Sequence, residues 1–119
     1  MNIEPSALLP LRPLTAELWV APQLGPEAMA EAARMGFRSV INNRPDFEHG
    51  PVQPTNAEIE TAAQAAGLVY RFLPVDGGHQ SPEEIAAFAQ LLQELPRPVL
   101  AFCRSGARST RLFLATQNL

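Results

Sequence analysis

No lysine occurs in this 119-residue chain, so all nine of its basic side chains are arginine. Cysteine, tryptophan and tyrosine occur once each, and histidine twice. A single cysteine excludes an internal disulfide. With His49 and His79 as its only possible imidazole companions, no ligand cluster has zinc-like spacing, so neither a metal nor another cofactor is expected. No apolar run approaches the roughly 20 residues that span a bilayer, and the N-terminus lacks the basic-then-apolar order of a secretory signal. A soluble, cytoplasmic protein without membrane contact is the expectation. The net charge of −3 argues against nucleic acid as a partner, because such surfaces carry a broad positive field.

What is present points to one globular domain over residues 1–119, since 46% of the residues are hydrophobic. Residues 1–15, with Pro5, Pro10 and Pro13, read as an extended lead-in. Strands are predicted at Glu17–Val20, Phe37–Ile41, Leu68–Val75 and Pro98–Phe102. Helices are predicted from Gly25-Pro26 to Ala33, from the capping box Thr55/Glu58 to Gly67, from the capping box Ser81/Glu84 onward, and from Ser109 onward. Ile85, Phe88, Ala89 and Leu92 recur at helical spacing and should face the core. Phe47–Pro54 is aperiodic and polar, a surface loop of the kind that carries function. This alternation predicts an α/β fold with a mostly parallel central sheet flanked by helices in three layers. Ligands in such sheets bind where strands end and helices begin, and Cys103 lies at such a junction.

The segment Cys103-Arg104-Ser105-Gly106-Ala107-Arg108-Ser109 carries the chemistry. A strand running into Cys103 and a helix beginning near Ser109 aim the intervening amides of Arg104, Ser105, Gly106 and Ala107 at one point, the positive end of the helix dipole. Gly106 supplies the backbone angles such a nest needs, and Arg108 adds a full charge. Both favour a Cys103 thiolate below the ~8.5 of a free thiol, hence a nucleophile. The alternative for a lone cysteine after an apolar strand is an inert core residue. Arg97, Arg104, Arg108 and Arg111 cluster in sequence around it, either as an anion site or as a solvated face. Ser109 is placed to donate to the thiolate, to cap the last helix, or both.

Val99–Thr110 together with Val40-Ile41-Asn42-Asn43-Arg44-Pro45-Asp46 resembles the bacterial family known both as sulfurtransferases and as the phosphatase-like domain of beta-lactamase-hydrolase-like proteins. The likeness runs from about Trp19 to Leu114. It implies a fold like the dual-specificity phosphatases and an association with sulfide-oxidising or persulfide-handling enzymes. The family usually continues with further helical sequence, so the resemblance implies a truncated or shortened C-terminus. Tyrosine-phosphatase loops place five residues between cysteine and arginine; here four intervene, as in single-domain rhodaneses. That tighter spacing favours transfer of sulfane sulfur through a Cys103 persulfide, with a small sulfur- or phosphorus-containing anion as substrate. The alternatives are a cysteine-dependent phosphatase, and a non-catalytic module that binds anions or senses oxidation. A phosphatase also needs a general acid. Asp76, before Gly77-Gly78, is one candidate and otherwise a turn residue; Asp46 is the second. Arg44 is either a substrate clamp or a partner that satisfies its turn. His49 and His79 are possible proton relays, though loop histidines are commonly bystanders.

Overall fold

Apolar residues alternate between two destinations along each inner strand, and that alternation sets the layers. In a computed structural model that describes residue 3 and residues 9–119, one sheet contains β1 (Arg12–Pro13), β2 (Leu18–Ala21), β3 (Ser39–Asn42), β4 (Val69–Phe72) and β5 (Val99–Phe102). Its order is β1-β2-β5-β3-β4; β1 pairs antiparallel to β2 and all other neighbours are parallel. Four helices surround it among the described residues: α1 (Ala28–Met35), α2 (Asn56–Ala65), α3 (Pro82–Glu94) and α4 (Ala107–Thr116). On β5, Leu100 and Phe102 join Met29, Ala32, Met35, Ile59 and Ala63 of α1 and α2. Val99 and Ala101 point the other way, to Phe88 of α3 and Leu112 of α4. The result is the expected three-layer α/β arrangement.

The central strands end level with one another. Ala21, Phe102 and Asn42 are paired across β2, β5 and β3, so the loops that follow all emerge at one edge. Both predicted capping boxes are present: Thr55 and Ser81 each accept from the backbone N–H three residues on, and Glu58 and Glu84 reach back.

Three boundaries differ from expectation for local reasons. β4 stops at Phe72 because the pairing slips beyond it: Leu73 N–H still meets the Asn42 carbonyl at 2.9 Å, but Val75 N–H goes to the Asn43 carbonyl at 3.0 Å and not two residues on. α4 begins at Ala107, two residues before Ser109, because Gly106 takes the N-cap position in the left-handed region at φ 93°. The lead-in contains a strand, since Arg12 and Pro13 pair with Val20 and Trp19; Pro5 lies outside the described residues. No helix among the described residues is long and apolar enough to cross a membrane.

Candidate active site

Cys103 is the first residue beyond the central strand β5 and is 1% exposed. The turn that follows folds back over its sulfur. Gly106 N–H donates to Sγ at 3.1 Å, and the nearby Ser105 and Ser109 amides and the Ser109 hydroxyl also favour the thiolate. Burial pushes the thiol up, but these donors outweigh it and hold Cys103 below the ordinary thiol value. The cause differs in one respect from the sequence reading. The lowering comes from the amides and Ser109, while the Arg108 guanidinium is engaged elsewhere. Gly106 is required here by its positive φ; a Cβ at this position would only come into ordinary contact with the Ala21 carbonyl oxygen. Gln23 N–H donates to the Arg104 carbonyl at 3.1 Å and pins the outer side of the turn to the segment after β2.

Arg108 lies in the first turn of α4 with its side chain 8% exposed. Its Nη1 donates to the Val75 carbonyl at 3.0 Å, and its guanidinium meets the Glu48 carboxylate at 3.1 Å. Its Nε is buried and has no hydrogen-bond partner among the described residues. Glu48 is shared. Arg44 Nε donates to the same carboxylate at 2.8 Å, and Arg44 Nη1 reaches Gln23 Oε1 at 3.0 Å. Burial pushes Glu48 up, but Arg108 and Arg44 prevail and hold it below the usual carboxylate range. Arg44 is thus a buried partner within this network, and its bonds already satisfy its turn.

The loop after β4 is drawn over the same edge. Arg108 holds Val75, and Arg111 Nη2 donates to the Gly77 carbonyl at 2.7 Å. A side chain at Gly77 would press on Arg108, since a Cβ would sit 3.0 Å from Nη2 and the guanidinium would have to give by a few tenths of an ångström. Asp76 stands between the tethers at Val75 and Gly77, exposed, with its carboxylate accepting from Gly78 N–H at 2.9 Å. Asp46 is placed differently. Its carboxylate accepts from Asn56 N–H at 2.7 Å and so secures the start of α2. Ser105 and Ala107 are exposed on the turn, with Ser105 Oγ accepting from Ala107 N–H; Arg104 is exposed at its rim. Arg97 does not join the cluster. It precedes β5, at the opposite end of the strand from Cys103, and pairs with Glu17 at 3.1 Å.

Three residues that sequence reasoning had not singled out complete the site: Glu48, Gln23 and Asn43. Glu48 stands in the loop expected to be functional, but nothing local marks one glutamate among polar neighbours. Asn43 is fully buried. Its backbone N–H donates to the Phe102 carbonyl at 2.9 Å, and its side-chain oxygen accepts from the Ser109 hydroxyl at 2.8 Å. A cavity of about 360 Å³ lined by Leu18, Leu92, Arg97, Val99 and Phe113 lies at the other end of β2 and β5 and shares no residue with the cradle. Among the described residues no group of acidic, histidine and cysteine side chains is arranged to hold a metal ion.

Comparison with known proteins agrees with this geometry. The family model for the beta-lactamase hydrolase-like protein, phosphatase-like domain, matches residues 10–119. A beta-lactamase hydrolase-like protein of Agrobacterium fabrum is 43% identical over 84 residues, 71% of this chain and 19% of that protein. The chain thus spans about a fifth of that relative's length. A crystal structure of a candidate phosphatase from Neisseria meningitidis superposes with a TM-score of 0.79 and 32% identity, covering 92% of this chain and 75% of that one. TpbA of P. aeruginosa, in a cysteine-to-serine form with phosphotyrosine, shares the fold at a TM-score of 0.61 and 19% identity, over 90% of this chain and 60% of that one.

Proposed function

The chain belongs to the phosphatase-like domain family of beta-lactamase hydrolase-like proteins, and on that premise we propose that it hydrolyses phosphate monoesters through a phosphocysteine on Cys103. The observation that carries the proposal is a turn folded over the buried Sγ, with Gly106 N–H donating to it at 3.1 Å and the Ser105 and Ser109 amides also favouring its ionisation. The thiolate attacks phosphorus, the bond to the leaving oxygen breaks, and that oxygen takes a proton from Asp76. Water then attacks phosphorus as it gives a proton to the Asp76 carboxylate, the S–P bond breaks, and inorganic phosphate leaves with the thiolate and the acid both restored. The cradle amides and the unpartnered Nε of Arg108 supply donors for the oxygens in flight. Asp76 is preferred to Asp46 as acid because its loop is tied to Arg108 and Arg111, whereas Asp46 is committed to α2.

Transfer of sulfane sulfur is the second reading, and a specific feature favours it. Only four residues separate Cys103 from Arg108, and a persulfide, being smaller than a phosphoryl group, needs neither a wide ring nor a general acid. In that chemistry the thiolate attacks the outer sulfur of a donor such as thiosulfate, sulfite leaves, and the persulfide passes its sulfur to an acceptor thiol or cyanide. A persulfide-handling enzyme would be its partner.

Turnover of phosphotyrosine and of thiosulfate with cyanide, measured on one preparation, separates the two. The proposal expects the phosphate ester to have the higher kcat/KM and Asp76→Asn to lower its kcat by roughly a hundredfold or more. Thiosulfate turnover that exceeds it and is indifferent to Asp76→Asn overturns the proposal in favour of the second reading.

A further inference from the structure

Ser109 has one hydroxyl proton and two acceptors within reach. Its Oγ donates to Asn43 Oδ1 at 2.8 Å and lies close enough to Cys103 Sγ to favour the thiolate. The orientation of the Asn43 amide is fixed, because its Nδ2 donates to the Leu73 carbonyl at 2.9 Å and so turns Oδ1 toward Ser109. Asn43 is itself held from both sides, by its N–H on the Phe102 carbonyl and by Val75 N–H on its own carbonyl at 3.0 Å. It cannot swing away. All three side chains are buried, so no bulk water replaces a bond that is given up.

We propose that Asn43 is a positioning residue that competes with Cys103 for the single proton of Ser109. With a neutral thiol, the hydroxyl donates to Asn43 Oδ1 and its lone pairs face the S–H, which donates back. With a thiolate, the hydroxyl turns to donate to sulfur and Asn43 Oδ1 loses its donor. Asn43 thereby restrains ionisation that the amides promote, and keeps the sulfur basic enough to attack, since nucleophilicity falls as thiol acidity rises. When the sulfur carries a covalent group and no negative charge, the proton returns to Asn43. This inference rests on the thiolate reading of Cys103 but is independent of which group the sulfur carries. The charged and titratable groups on the segments around the sulfur are Arg104, Arg108 and Arg111, Glu27 after β2, Arg44, Asp46, Glu48 and His49 after β3, and Asp76 and His79 after β4. None is altered by the variants below.

The test is a double-mutant cycle read by the ultraviolet absorbance of the thiolate as pH is raised. Ser109→Ala should raise the apparent pKa of Cys103, and Asn43→Ala should lower it, each by about half a unit to one unit. In the Ser109→Ala background, Asn43→Ala should produce no shift. Asn43→Leu, which fills the volume, repeats the measurement should the alanine variant fold poorly. An upward shift on removing Asn43, or the same shift in both backgrounds, overturns the proposal. An unmodified chain whose Cys103 titrates at or above the free-thiol value instead contradicts the thiolate reading itself.

Discussion

Phe47 is a bulky residue in a conformation that favours glycine: its φ is 61°, and 65% of its surface is exposed. Such a backbone costs an L-residue roughly 1–2 kcal/mol, partly offset by the lower chain entropy of any residue larger than glycine. Phe47→Gly should therefore stabilise the fold, by on the order of half a kcal/mol, seen as a higher denaturation midpoint with unchanged slope. An unchanged or lower midpoint means that the ring makes contacts worth more than the strain. Its neighbour Glu48 contributes in a pH-dependent way. Because the folded-state pKa of Glu48 is depressed, its contribution is present above the unfolded value near 4.5 and disappears as pH falls through the folded one. The gap in stability between the unmodified chain and Glu48→Gln should thus be constant near neutrality and close on acidification below about pH 4.5. A gap that persists at low pH shows that the glutamate matters through something other than its charge. Little of this could be read from Glu48 in sequence, where Arg108 lies 60 positions away and Arg44, four positions before it, stands outside any helix that would mark the pair.

At the level of elements, local signals were legible and distant ones were not. The capping boxes at Thr55 and Ser81 announce α2 and α3 because all their bonds close within four residues. Thr55→Ala and Ser81→Ala should each cost about 1 kcal/mol, measured as lower melting temperatures, and loss of neither cap affecting stability contradicts their assignment. α4 escaped the same rule. Its N-cap is Gly106, which offers no side-chain bond, so Ser109 drew the predicted boundary two residues late. The shift matters because it puts Arg108 and Ser109 inside the first helical turn, with the Ser109 amide directed at Cys103. β1 is two exposed residues long and carries no alternation from which to recognise it.

For the whole molecule, the order of strands determines the chemistry. Placing β5 at the centre with β2 and β3 ending level beside it gathers the turn after Cys103, the Gln23 segment, the Asn43-to-Glu48 stretch and the Asp76 loop at one edge. Sequence pattern gave the parallel α/β sheet and the position of Cys103 at a strand–helix junction, since both follow from periodicity and from the residues around one turn. It did not give the bonds from Ser109 to Asn43 or from Arg108 to Glu48, which join residues 66 and 60 positions apart. It also weighed loop length towards sulfur transfer, whereas the family and the fold favour phosphate chemistry. Both reactions require that Cys103 carry the transferred group, so the most direct test is the intact mass of the chain, acid-quenched during turnover of phosphotyrosine. The account predicts a gain of one phosphoryl group, located on Cys103 and absent from Cys103→Ser, whose turnover falls by about three orders of magnitude or more. Turnover retained by Cys103→Ser, or a phosphoryl group found on any other residue, would contradict it.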